Sequence, residues 1–187
     1  MRGHAFLKPG GASIIIRTTR PFRSIGPLLG LALLGILATA QDLRAAETSG
    51  LPLPRFVSLR SDEVNLRTGP GVRYPLDWIY TRRDLPVEVI AEFETWRKIR
   101  DWQGTEGWVH QSMLSARRMA VITQGRKRLK AEPDEKAVAL AELDTNVVVR
   151  LLACPRDKSF CKVEIQNMQG WLRRDEFWGV YQGEYIE

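Results

Sequence analysis

A run of short motifs appears twice in this chain, in the same order and about 63 residues apart. Phe56-Val57-Ser58-Leu59 is matched by Ala120-Val121-Ile122-Thr123. Asn65-Leu66-Arg67-Thr68-Gly69-Pro70 is matched by Lys127-Arg128-Leu129-Lys130-Ala131-Glu132-Pro133. Pro86–Ile90 is matched by Val147–Leu151, Trp96-Arg97-Lys98-Ile99 by Phe160-Cys161-Lys162-Val163, and Gly107-Trp108-Val109 by Gly170-Trp171-Leu172. Five matches in order at nearly constant offset indicate an internal duplication. A unit this short buries only a marginal core by itself, and two copies make a pair of small domains rather than a solenoid.

The motifs within each copy are strand-like. Val64–Arg67 and Val87–Ile90 alternate with period two, and Thr68-Gly69-Pro70-Gly71 is a strong turn signal. On Trp96–Arg100 the alternation puts Trp96 and Lys98 on one face and Arg97 and Ile99 on the other. Leu85–Phe93 and Leu140–Leu152 could be mistaken for helices, but their valine content and length favour strands. Trp108 and Trp171, each following a glycine within a strand motif, are expected in the core.

The net charge of +6 invites a nucleic-acid reading. Its distribution argues against one. Arg2, Lys8, Arg17, Arg20 and Arg23 lie in residues 1–40, which contain no acid, so the rest of the chain sits near +1. No concentrated basic face remains for phosphate neutralisation, and nucleic acid is not an expected partner.

Residues 1–40 read as a signal peptide. The basic stretch ends at Arg23, the apolar run Ile25–Leu37 follows, and Ala38-Thr39-Ala40 is a small-x-small triplet. Cleavage is expected between Ala40 and Gln41. The alternative is an uncleaved anchor, the one route by which a membrane would be a partner. The run is short of the roughly 20 apolar residues of a spanning helix and contains Pro27. Residues 41–54 have linker composition and are expected to be mobile. The expected domains are then 55–118 and 119–187, joined near Arg117–Ala120 by a segment too short and too poor in Gly and Ser to allow much freedom.

An exported chain with two cysteines, Cys154 and Cys161, reads as carrying a disulfide. They enclose Pro155 and Asp157, which is turn chemistry, so the bridge should pin a hairpin loop. The spacing is too long for a Cys-x-x-Cys redox pair, and no histidine is near to complete a metal site.

Val64-Asn65-Leu66-Arg67-Thr68-Gly69-Pro70-Gly71, Val87–Ile90, Trp96–Ile99 and Gly107-Trp108-Val109, in that order, resemble the bacterial SH3-like (SH3b) domain. The resemblance covers about 55–118 and, less fully, 119–183, where Ala131-Glu132-Pro133-Asp134 replaces Thr68–Gly71 and Phe160 replaces Trp96. It implies an all-β fold of two tandem small, partly open SH3-like barrels. It also implies a ligand-binding accessory role, with peptidoglycan or peptides as partners, and a weaker carry-over of binding to the second copy.

No catalytic constellation is evident. His4 lies in the signal segment and leaves His110, at a strand end, as the other histidine. Cys–His catalysis needs a free thiolate, which a disulfide removes. Asp62, Glu63, Glu92 and Glu94 are scattered, and Gly69-Pro70-Gly71 lacks the Lys-Ser/Thr ending of a phosphate loop. Neither a cofactor nor a metal is expected, and the chain reads as non-enzymatic. Binding candidates are Tyr74, Trp78, Trp96 and Trp102, with Arg67 and Arg73 as polar partners; rigid aromatics bind sugars or peptides at low entropic cost. The expectation is a periplasmic or secreted envelope protein that binds peptidoglycan or its stem peptide. The alternative is a protein–protein module that grips a periplasmic partner or peptide.

Overall fold

The computed structural model describes residues 48–187; the expected signal segment, the expected cleavage position at Ala40–Gln41 and residues 41–47 lie outside the described residues. Among the described residues no helix is long and apolar enough to cross a membrane. The described residues form fourteen strands in two seven-stranded antiparallel sheets.

The first sheet contains β1 (Arg55–Leu59), β2 (Val64–Arg67), β3 (Leu76–Tyr80), β4 (Pro86–Phe93), β5 (Trp96–Arg100), β6 (Glu106–His110) and β7 (Leu114–Ser115). The second contains β8 (Met119–Ile122), β9 (Lys127–Lys130), β10 (Ala139–Leu143), β11 (Val148–Ala153), β12 (Phe160–Ile165), β13 (Met168–Arg173) and β14 (Phe177–Trp178). The spatial orders are β3-β2-β6-β5-β4-β1-β7 and β10-β9-β13-β12-β11-β8-β14. Adding seven to every label turns one into the other, so the sequence repeat is a repeat of topology. Neither sheet closes: β3 and β10 are free edges, as expected of partly open barrels. One continuous strand-like run, Leu140–Leu152, is divided into β10 and β11 by a turn at Asp144–Val147, where Asn146 takes a left-handed φ of 68°.

Each sheet wraps its own core. Leu59, Val64, Leu66, Val87, Val89, Ile99 and Val109 fill the first. Ile122, Leu129, Val149, Leu151, Val163 and Leu172 fill the second. Trp108 and Trp171 are not in these cores, contrary to expectation; both are half-buried. The inward position belongs to the preceding glycine. A Cβ on Gly107 would lie 2.5 Å from Leu66 Cγ, and one on Gly170 would lie 2.6 Å from Leu129 Cγ. Strand alternation then turns the following tryptophan to the opposite face.

Register matches the two sheets pair by pair. Glu88 opposite Arg100 corresponds to Arg150 opposite Glu164, an ion pair with its polarity reversed. Beyond a bulge in both sheets, Glu92 opposite Arg97 corresponds to Cys154 and Cys161. The cysteines form the expected disulfide, with Cα atoms 4.3 Å apart. The second sheet thus has a covalent link where the first has a buried ion pair.

Residues 48–54 do not hang free. The Ser49 backbone N–H and hydroxyl donate to the Glu92 carboxylate at 2.6 and 2.7 Å. Linker-like composition describes the sequence here but not the docking, because one buried carboxylate recruits the segment.

The two sheets also touch each other. The Phe56 ring packs edge-on to Trp178 at 4.7 Å and lies 4.6 Å from Tyr181. Tyr181 donates to Glu88 Oε1 at 2.8 Å, while Arg100 takes Glu88 Oε2 at 2.6 Å. At the joint, Arg118 pairs with Glu184 and donates to Gly179 O at 2.9 Å.

Candidate ligand-binding site

The six candidate residues separate into three groups. Arg67, the last residue of β2, groups with Arg73 and Tyr74 of the loop between β2 and β3. Arg67 Nη1 donates to the carbonyls of Val72 at 3.2 Å and Tyr74 at 2.8 Å. In the second sheet Lys130 Nζ does the same to Glu135 at 2.9 Å and Ala137 at 3.1 Å, at the equivalent positions. A cation at this site therefore closes the loop from within, and Arg67 is committed to that task. Tyr74 lies against Gly69 so closely that a Cβ there would run into its ring. This explains a sequence difference between the copies: where Tyr74 becomes Ala137, the glycine becomes Glu132. Arg73 is exposed, with its guanidinium 5.2 Å from the Tyr74 ring.

Trp96 stands apart on β5. It faces His110 across the ladder in a T-shaped contact at 5.5 Å. His110 Nδ1 in turn accepts from the Ser112 backbone N–H at 3.3 Å and caps the 3-10 turn Gln111–Met113. That is a structural role for the histidine.

Trp78 and Trp102 come together. Trp78 lies on the free edge strand β3 and is 57% exposed, between Leu76 at 46% and Ile79 at 45%. A groove of about 230 Å³ runs between this strand and the turn after β5, lined by Trp78, Ile79, Thr81, Trp102, Gln103 and Thr105. A second hollow of about 300 Å³ is formed by Leu76, Asp77, Trp78 and Ile79. Monomeric surfaces rarely gather so many apolar side chains without a use for them.

Asp101, which sequence reasoning did not single out, holds one wall of that groove. Its side chain is buried. Oδ1 accepts from the backbone N–H groups of Gln103 and Thr105, both at 2.9 Å, and Oδ2 accepts from Tyr80 Oη at 3.0 Å. Burial, and then the charge of Asp101, push the Tyr80 phenol well above its ordinary range. The result is a rigid turn that seats Trp102, half-buried, against the margin of the first core, with its remaining surface on the groove. The available signal was an Asp two residues ahead of Gln103-Gly104, an Asx-turn pattern.

The second sheet has no such groove. Register places Ala141 where Trp78 stands. The five-residue turn carrying Trp102 is cut to Gln166-Asn167, and the length reappears as the disulfide loop between β11 and β12. Among the described residues no cluster of His, Cys, Asp or Glu could hold a metal ion, and no cysteine is free.

Among solved structures, the chain resembles NlpC1 and NlpC2 from Trichomonas vaginalis, at 13% and 12% identity and TM-scores of 0.32 and 0.33. It covers 48% of each, over 71% and 68% of its own length. An NlpC/P60 family protein from Bacillus cereus matches at 16% identity and TM-score 0.30, over 65% of this chain and 55% of that one. The chain thus spans about half the length of these proteins. No curated protein matches it. The family model described as bacterial SH3 domain matches residues 60–116, from just after β1 to just past β7.

Proposed function

We propose that the chain is an exported, non-enzymatic binding protein of the cell envelope, built from two tandem SH3-like modules, that binds peptidoglycan or its stem peptide through the first module. One observation carries this reading: Trp78 and Trp102 flank a shallow groove on a bacterial SH3 domain, with Trp102 held by a fully bonded Asp101. Flat, rigid aromatic faces beside hydrogen-bonding Gln103 and Thr105 suit a sugar ring or a short peptide. Arg67 and Tyr74 support the neighbouring loop from behind, and Arg73 borders it.

A second reading is a module for a periplasmic protein or peptide. The free edge of β3 favours it, because a row of unpaired backbone groups beside exposed Leu76, Trp78 and Ile79 accepts an added strand. Co-sedimentation of the purified chain with insoluble peptidoglycan separates the two. Wall binding lost in a folded Trp78→Ala/Trp102→Ala variant supports the first reading. Absence of sedimentation by the wild type, with capture of an extended peptide by β3, supports the second.

A further inference from the structure

The disulfide loop has no counterpart in the first module, where β4 and β5 are joined by Glu94-Thr95 alone. In gaining the loop, the second module also gained a cluster of cations. A groove of about 420 Å³ lies beside it, walled by Arg156, Lys158 and Ser159 of the loop and by Arg173 and Arg174 of the opposite edge.

Partners of these cations decide what the groove can take. Arg173 is neutralised by Asp175 and Glu135. Arg174 is not: its guanidinium donates to three backbone carbonyls, of Pro155 at 2.8 Å, Lys158 at 3.2 Å and Glu184 at 2.8 Å. Those bonds fix its position and leave its charge. Arg156 lies 5.4 Å from the Tyr185 ring, and neither it nor Lys158 has a carboxylate partner among the described residues. Arg156, Lys158 and Arg174 therefore face one hollow whose lining also holds two acids, Asp157 and the Arg173-paired Asp175. The scaffold is preorganised. The Cys154–Cys161 bridge ties the loop at its base, and Arg174 N–H donates to Ser159 O at 2.9 Å. Cys154 also exchanges backbone hydrogen bonds with Ile186, which brings the C-terminal segment to the far wall.

We propose that this groove is a binding site for a phosphate group, taken by Arg156, Lys158 and Arg174 with the Ser159 hydroxyl as an added donor. Cations with no carboxylate in direct ion-pair contact, beside a hydroxyl, match the several acceptor oxygens of a phosphate. The site is independent of the Trp78–Trp102 groove, so the proposal gives one module an aromatic site and the other an anion-binding one.

The test is an NMR titration of the full chain with inorganic phosphate at low ionic strength. Shifts that saturate, centred on Arg156–Ser159, Arg174 and Gly183, are expected. They should weaken roughly tenfold between about 0.01 and 0.15 M salt as screening shortens from about 30 to about 8 Å. Arg156→Gln/Lys158→Gln should lose them while keeping the melting temperature of the wild type. Cys154→Ser/Cys161→Ser should lose them while leaving the first module's spectrum unchanged. Flotation with phosphatidylcholine vesicles, with and without phosphatidylglycerol, identifies the source: retention by the anionic vesicles alone assigns a lipid headgroup, and no retention assigns a soluble phosphate. Shifts that do not saturate, that spread equally to Arg117 and Arg126, or that survive Arg156→Gln/Lys158→Gln overturn the proposal.

Discussion

Protonating Glu92 should be among the most damaging single events for the first module. Its side chain is 1% exposed. Burial opposes its charge, but the bonds from Ser49 and Arg55 outweigh burial and hold its carboxyl down at about 2, against an ordinary 4.5. Arg97, also buried, adds an ion pair at 3.1 Å. A folded-state value below the unfolded one means the stabilisation is complete above about pH 4.5 and is lost as pH falls towards 2. A shift of this size corresponds to about 3 kcal/mol. Glu92→Gln removes the charge and leaves Arg55 and Arg97 facing a neutral amide, so it should cost about 3 kcal/mol at pH 7. Urea unfolding at several pH values between 7 and 2 reads both quantities. The wild type and the variant should differ most at neutral pH and converge near pH 2. Other carboxylates held down by arginine or lysine, such as Glu106 and Glu184, contribute equally to both curves and cancel. Two parallel curves over this range would refute the account of Glu92.

The same register leads to further predictions. Glu92→Cys/Arg97→Cys should form a disulfide under oxidising conditions, because Cys154 and Cys161 do so from the equivalent pair; a mass loss of two hydrogens and absence of free thiol check it. Removing the native bridge with Cys154→Ser/Cys161→Ser should cost about 2.5 kcal/mol in chemical unfolding, from the loop-closure entropy of so short a loop. Gly170→Ala should destabilise the second module by about 1–3 kcal/mol, because the new methyl meets both Leu129 Cγ at 2.6 Å and the Lys130 carbonyl at 2.8 Å. Thermal melting should show that loss, and Gly104→Ala, whose Cβ would meet nothing within 4 Å but whose φ is +88°, serves as a backbone-strain comparison.

What could be read from the sequence was whatever period and order reveal. Val64–Arg67 and Trp96–Arg100 are strands with the bounds their alternation implies, and the common offset foretold two sheets of one topology. Facing was harder. Arg97 and Ile99 share a face as the alternation indicated, and the structure shows that face to be the buried one; Trp108 and Trp171 do not point inward, because only the contact with Leu66 or Leu129 shows that the glycine is the buried member. Short strands such as Leu114–Ser115 and Phe177–Trp178 have no period of their own and exist through pairing with β1 and β8. The candidate site was half legible. Aromatic content pointed to Trp78 and Trp102, but their meeting across a groove depends on β3 being an edge and on Asp101 folding the turn. Arg67 looked like a ligand contact. Its bonds to the carbonyls of Val72 and Tyr74, repeated by Lys130, make it a loop clip.

Wall binding through the first module is the central claim, and sedimentation with insoluble peptidoglycan tests it most directly. The account predicts that the wild-type chain sediments, that Trp78→Ala/Trp102→Ala remains folded but stays in the supernatant, and that Arg156→Gln/Lys158→Gln still sediments. A Trp78→Ala/Trp102→Ala variant that sediments as the wild type does, or a wild type that never sediments, would contradict it.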